Sequence, residues 1–168
     1  MSAFRVRRLN ESDLEDFRRV RLEALYLHPQ AFGASYEEWN QRPSQFFADK
    51  LNSNVVFGGF DLNNTLQGII GLSCNTSPKL RHVATLWGMY VRTEMRRSGL
   101  SLRLVEAVLE AGKHVKTIQL SVVTTNHAAC ALYRSFGFTE WATDTAALCV
   151  DGVFYDEFLM RRESDKEN

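Results

Sequence analysis

Apolar positions recur along this chain in two rhythms that change places several times. A short alternating stretch, Phe4 to Leu9, predicts a first strand. The spacing then lengthens: Leu14, Phe17, Val20, Ala24 and Leu25 fall near one face of a helix that Pro29 ends. Ser12 to Glu15 has the form of a capping box opening that helix. Arg18, Arg19 and Arg21 read as its solvated surface, since charge ordinarily covers the exposed face. Ser35 and Glu38 offer a second box, followed by Trp39 and closed by Pro43. Ser44 to Leu51 gives one more short helix carrying Phe46, Phe47 and Leu51.

Alternation returns in Asn54 to Phe60 and Leu66 to Asn75, a hairpin around the turn residues Asp61-Leu62-Asn63-Asn64. Gly58, Gly59, Gly68 and Gly71 are too dispersed for a phosphate loop and read as bulges or close packing. After a turn at Ser77-Pro78-Lys79, the apolar run from Val83 to Val91 predicts a largely buried strand. Leu104, Val105, Val108 and Leu109 then stripe a helix ending near Gly112. The β-branched run Thr117 to Val123 follows as a buried strand, parallel to its predecessor by the right-handed crossover rule. Asn126 caps a further alanine-rich helix, and Gly137 suits the left-handed position just past its end. Phe138 to Asp144 and Phe154 to Met160 complete an antiparallel pair with a turn at Asp151-Gly152, and a polar tail from Glu163 to Asn168 is expected to fray. The pattern predicts one α/β domain, a mixed twisted sheet with helices on both faces.

Composition narrows the function classes. A formal net charge of +0 argues against a dedicated nucleic-acid binder, which carries a basic excess. No apolar run approaches the ~18 residues of a membrane span, and the arginine-dotted start, Met1 to Asn10, is not a signal peptide. Cys74, Cys130 and Cys149 are widely spaced, which predicts free thiols in a reducing cytoplasm. His28, His82, His114 and His127 show no metal-ligand spacing, so no metal is expected.

The stretch with most chemistry is Met89-Tyr90-Val91-Arg92-Thr93-Glu94-Met95-Arg96-Arg97-Ser98-Gly99-Leu100-Ser101, a strand, a cationic loop and a helix start. A helix N-terminus offers unpaired N–H groups and the positive end of a dipole, which together hold a phosphate. Gly99 lets the backbone approach such a ligand, and Arg96 and Arg97 add charge-assisted bonds. A solvated basic loop before an ordinary helix is the plainer alternative.

Arg96-Arg97-Ser98-Gly99-Leu100-Ser101 resembles the acetyl-CoA loop of the GNAT superfamily of N-acetyltransferases, Arg/Gln-x-x-Gly-x-Gly/Ala, with Ser101 departing at the last position. Serine is small and keeps its N–H, so phosphate binding should survive. A second motif of that family, Asn-x-x-Ala-x-x-Leu-Tyr-x-x-x-Gly-Phe, is matched by Asn126, Ala129, Leu132, Tyr133, Gly137 and Phe138, one helix and one strand further on. The resemblance covers most of the chain and is thin before Val55. It implies a GNAT-like, mostly antiparallel sheet whose central parallel strands splay apart at their C-terminal ends. Acetyl-CoA would enter the gap as co-substrate. Its pantetheine would pair with the backbone of Met89, Tyr90 and Val91, and its pyrophosphate would rest on N–H groups from Arg97 through Ser98, Gly99 and Leu100 to Ser101. Asn126 and Tyr133 join the same site by their motif, and N–H groups near Met89 would polarise the thioester carbonyl.

The implied reaction is direct attack of a primary amine on the thioester, with both substrates bound together. Tyr133 matches the family tyrosine that serves the departing thiolate; its alternative is a buried aromatic with a satisfied hydroxyl. The general base stays open among a water held by Ser121, Glu38, Asp156 and Glu157. Glu37, Glu38 and Trp39 lie where relatives build one wall of the acceptor site, or else form an ordinary amphipathic helix. The acceptor itself is open: a polyamine, aminoglycoside, amino acid or protein amine fits equally. A non-catalytic acyl-CoA sensor is the competing class, and nucleotide phosphate transfer is disfavoured because no Gly-x-x-x-x-Gly-Lys-Ser/Thr occurs. A homodimer is compatible with this reading, and neither nucleic acid nor membrane is expected as a partner.

Overall fold

Each apolar stripe finds the surface that its period requires. In the computed structural model, which describes residues 3–164, seven strands form one sheet in the order β1-β2-β3-β4-β5-β7-β6. They are β1 (Phe4–Arg8), β2 (Val55–Asp61), β3 (Leu66–Cys74), β4 (Val83–Val91), β5 (Thr117–Val123), β6 (Thr139–Val150) and β7 (Val153–Glu163). Neighbours run antiparallel except β4 and β5. Helices α1 (Leu14–Leu27), α2 (Tyr36–Asn40) and α3 (Ser44–Ser53) serve one face; α4 (Leu100–Ala111) and α5 (His127–Ser135) serve the other.

Strand alternation divides the core accordingly. Ile69 points toward Phe17, Val20 and Phe47 of the first face, while its neighbour Ile70 joins Leu104, Val108 and Ile118 on the second. The dispersed glycines of β2 and β3 permit close approach: a Cβ at Gly59 would collide with Leu100 of α4, and one at Gly71 with the Trp87 ring. The hairpin of β6 and β7 closes through Asp151 and Gly152, whose φ values of 50° and 78° give the primed turn that suits twisted strands.

Several expectations are corrected. The capping box belongs to Asn10 and Asp13, not Ser12 and Glu15, and it opens a 3-10 turn ahead of α1. Asp13 has a reason to be there: its carboxylate accepts two bonds of 2.8 Å from Arg7 and one of 2.9 Å from the Asn10 N–H. That fork, chiefly the hydrogen bonds from Arg7, holds the Asp13 carboxyl below its ordinary range. β6 runs on to Val150, past the expected Asp144, by way of a bulge whose Ala146 N–H is taken by Asp156. Glu163 closes β7 instead of beginning a frayed tail, and the last four residues lie outside those described.

Arg21 departs furthest from expectation. It is buried, not solvated, with 4 % of its surface exposed. The helical period explains this, because position 21 lies between Phe17 and Ala24 on the apolar stripe itself.

Asp13→Ala is expected to lower folding stability by about 2 kcal/mol, through the lost fork and the lost cap, read by urea denaturation at neutral pH. Because the folded carboxyl titrates below its unfolded value of about 3.9, its contribution is full above that pH and disappears as acid protonates it. The deficit of the variant should therefore shrink in strong acid.

Candidate functional site

β4 and β5 are hydrogen-bonded only at their beginnings, through Val83–Thr117, Ala84–Ile118 and Thr85–Gln119. Beyond that they part, while β5 stays paired to β7 as far as Val123–Glu157. The parting opens a cleft of about 660 Å³, within the usual range for small-molecule sites. Met89, Tyr90, Val91, Arg96, Arg97, Ser101 and Asn126 line it, so the two sequence motifs meet across one cavity. His28, Gln30, Ala31 and Phe32 close it from the segment after α1.

Between Trp87 and Tyr90 the strand carries one residue more than β3 opposite, and Gly88 takes φ 69°. Such a bulge lifts Met89 out of the regular ladder at the mouth of the gap. Val91 then leads through Arg92 into a 3-10 turn, Thr93–Met95. Arg92 Nε donates 2.8 Å to Glu23 of α1, and the Tyr90 hydroxyl donates 3.1 Å to the same carboxylate. The Tyr90 side chain therefore anchors the strand, leaving its backbone for a ligand. Burial, with the Glu23 charge, pushes its phenol up to about 12.

The loop ends in left-handed residues, Arg97 at φ 61° and Gly99 at φ 91°. Arginine adopts that conformation at a cost of roughly 1–2 kcal/mol, the kind of strain found at ligand-holding turns. Ser98 Oγ donates 2.6 Å to the Met95 carbonyl and accepts 3.2 Å from the Leu100 N–H. Among the described residues, the N–H groups of Arg97, Gly99, Ser101 and Leu102 have no acceptor. They stand at the positive end of α4, beside Arg96 and Arg97, and this set of donors fits a pyrophosphate. Leu100 contributes packing instead, fully buried over Gly59.

Across the cleft, Asn126 caps α5 by accepting 3.3 Å from the Ala129 N–H. The helix ends as its sequence requires: Gly137, at φ 83°, donates to the Arg134 carbonyl at 3.0 Å, and Phe138 to that of Tyr133 at 3.1 Å. This fixes Tyr133 on the inner face, 5 % exposed and edge-on to Phe138. Burial pushes its phenol well above the ordinary tyrosine value, so it is protonated at any physiological pH. No described residue accepts a bond from its hydroxyl.

The candidate bases separate cleanly. Glu38 is exposed and paired with Arg42 on the outer side of α2. Asp156 holds the Ala146 bulge. Ser121 is exposed and does not border the cleft. Glu157 does not itself line the cleft, but it lies directly opposite Val123, which does, and so shares that residue's face of the sheet. It is half-buried, and burial, with the Asp144 charge, raises its carboxyl. Glu37 is exposed and Trp39 packs between Phe46 and Phe47, so the expected acceptor wall does not come from their side chains.

Sequence reasoning missed His28 and Glu23. His28 stacks near Tyr90, with Nε2 3.4 Å from the Arg96 guanidinium; burial and that charge lower its pKa. A lone histidine before a proline carries no signal that would have found it.

A model of the acetyltransferase (GNAT) family matches residues 8–138. No curated protein matches the sequence. Among solved structures, a GNAT-family acetyltransferase from Streptococcus pneumoniae is 23% identical with a TM-score of 0.75, covering 95% of this chain and 99% of its own. A putative acetyltransferase from Acinetobacter baylyi reaches a TM-score of 0.83 at 16% identity, over 98% and 94% of the two chains. Another, from Salmonella typhimurium and solved with acetyl-CoA, is 17% identical with a TM-score of 0.79, over 98% and 96%.

Proposed function

Because the chain belongs to the GNAT family of acetyltransferases, whose acyl donor is acetyl-CoA, we propose that it moves the acetyl group to a primary amine bound in the same cleft. The observation that carries this reading is the convergence, across the parted strands, of an unsatisfied helix N-terminus with the Asn126–Phe138 motif. The free N–H groups from Arg97 to Leu102, with Arg96 and Arg97, hold the pyrophosphate. The backbone from Met89 to Val91 receives the pantetheine, and the bulge at Gly88 brings a strand N–H toward the thioester carbonyl.

In the transfer, the amine nitrogen forms a bond to the carbonyl carbon, the carbon–sulfur bond breaks, and the electron pair leaves with sulfur. Glu157 takes the proton that the ammonium must lose, directly or through a water. Tyr133 does not itself line the cleft, but it follows Ala129 and Leu132, which do, and its motif assigns it to the departing sulfur. A thiol has a pKa of about 8.5, far below that of this buried phenol, so complete proton transfer from Tyr133 runs uphill. Its part is a hydrogen bond to the forming thiolate, which takes up the second proton that the attacking nitrogen sheds and leaves as the CoA thiol.

The direct test is CoA release from acetyl-CoA across a panel of amines. Release that accelerates with at least one primary amine supports the enzyme. Tight donor binding with no amine-dependent release would leave a sensor. Glu157→Gln should cost about 10²–10⁴-fold in kcat/KM and remove the acid limb of its pH profile. That limb should lie above the ordinary glutamate value of about 4.3. A raised folded pKa means that ionised Glu157 costs stability above that pH, so the glutamine variant should be at least as stable as its parent. An unchanged pH profile would assign the base elsewhere.

A further inference from the structure

The reaction leaves Arg21 without a task. Its guanidinium carbon lies 4.7 Å from the ring centre of Trp39, 5.0 Å from Phe32 and 5.5 Å from Trp87. Aromatic faces favour a cation but do not satisfy its N–H groups. Nε and Nη1 are sealed from solvent with no acceptor, and Nη2 is the one nitrogen not sealed. The acids on neighbouring elements are engaged elsewhere, Glu23 with Arg92 and Glu38 with Arg42. Burial alone acts on the Arg21 charge, drawing its pKa down to about 10, so at neutral pH it remains a buried cation with no counter-ion among the described residues. Buried charges in proteins are paired, and an arginine left this way is a vacant half of a pair.

Its position says for what. Nη1 is 3.5 Å from where a Cβ of Gly88 would stand, at the bulge just before Met89. Phe32, which flanks the guanidinium, also lines the cleft. With pantetheine running from Met89 toward the loop, Arg96 and Arg97 take the pyrophosphate end and Arg21 sits behind the thioester end, where the acceptor must bind.

We propose that Arg21 determines acceptor specificity by receiving a carboxylate, so that the substrate class is small amines carrying a carboxyl group, such as amino acids. The open Nη2 lies beside Nη1, which is covered but has no acceptor, and this planar pair of donors matches the two oxygens of a carboxylate that enters over Nη2. A single cation among three aromatic rings neutralises one negative charge, which suits a carboxylate better than a phosphate dianion. The reaction part of this proposal rests on the acetyl-transfer reading; the binding part does not.

The test uses free amino acids and their amides, which differ only at the carboxyl group. Calorimetry or thermal shift with the full chain, without acetyl-CoA, reads binding, and CoA release reads turnover. The acid is expected to exceed its amide by about 10²-fold in affinity or kcat/KM. In Arg21→Met that ratio should collapse toward one, and Arg21→Lys should restore part of it. Circular dichroism and acetyl-CoA affinity check the fold of each variant. Should neither variant fold, the acid-to-amide ratio of the parent chain still decides. Amides bound and acetylated as well as acids would overturn the proposal, as would a preference that survives in folded Arg21→Met. Acids that bind through Arg21 while no amine ever releases CoA would uphold the carboxylate site and overturn the transferase reading instead.

Discussion

Gly99→Glu is expected to abolish acetyl-CoA binding, weakening it at least 10²-fold by calorimetry, while the protein stays folded. A Cβ at position 99 meets no heavy atom within 4 Å. The new side chain therefore projects into the space before α4 that the pyrophosphate must fill, and it places a carboxylate where two phosphate charges are needed. The backbone cost is separate: φ 91° strains any residue but glycine, by roughly 1–2 kcal/mol against a total stability of about 5–15 kcal/mol. Gly99→Ala isolates that cost. It should lose the same stability as Gly99→Glu and much less affinity. Unchanged affinity in folded Gly99→Glu would remove the pyrophosphate from this loop.

Tyr133→Phe should slow the chemical step by about 10²-fold, the usual yield of one hydrogen-bond donor aimed at developing charge. The ring stays, with its edge-on contact to Phe138 at 5.9 Å between centroids, so stability and acetyl-CoA affinity should barely change. Only the phenolic O–H is lost, and with it the hydrogen bond to the thiolate. Since a thiolate is a tolerable leaving group unaided, the loss is finite. Product release can conceal a change in chemistry, so the measurement is a single turnover with both substrates saturating. Parent-rate turnover there would make the tyrosine structural.

Most of the architecture was legible because two periods dominate the sequence. The β-branched run Thr117–Val123 announced its strand, and the crossover rule gave its parallel direction; Asn126 and Gly137 marked both ends of α5. The donor half of the site was legible for a similar reason, since its loop and helix are continuous in the chain. The proposed acceptor half was not. Arg21, Phe32, Trp39 and Trp87 come from four separate segments and meet only once the sheet has formed. Arg21 shows where the reading failed. Its place in the stripe of Phe17, Val20, Ala24 and Leu25 points inward while its charge points to solvent, and in the fold position prevails.

The short pairing of β4 with β5 also bears on how the protein persists. Three rungs join the sheet's two blocks, β1–β4 and β5–β7, and along the remaining length of both strands no described residue pairs across the gap. A donor molecule lying there would supply the missing rungs from outside the chain, as a removable structural member. By mass action, a ligand held only by the native state adds about 2.7 kcal/mol at a hundred times its dissociation constant. Donor binding in this gap would thereby tie the durability of the fold to the supply of the acyl donor, the emptied protein being the looser and shorter-lived one.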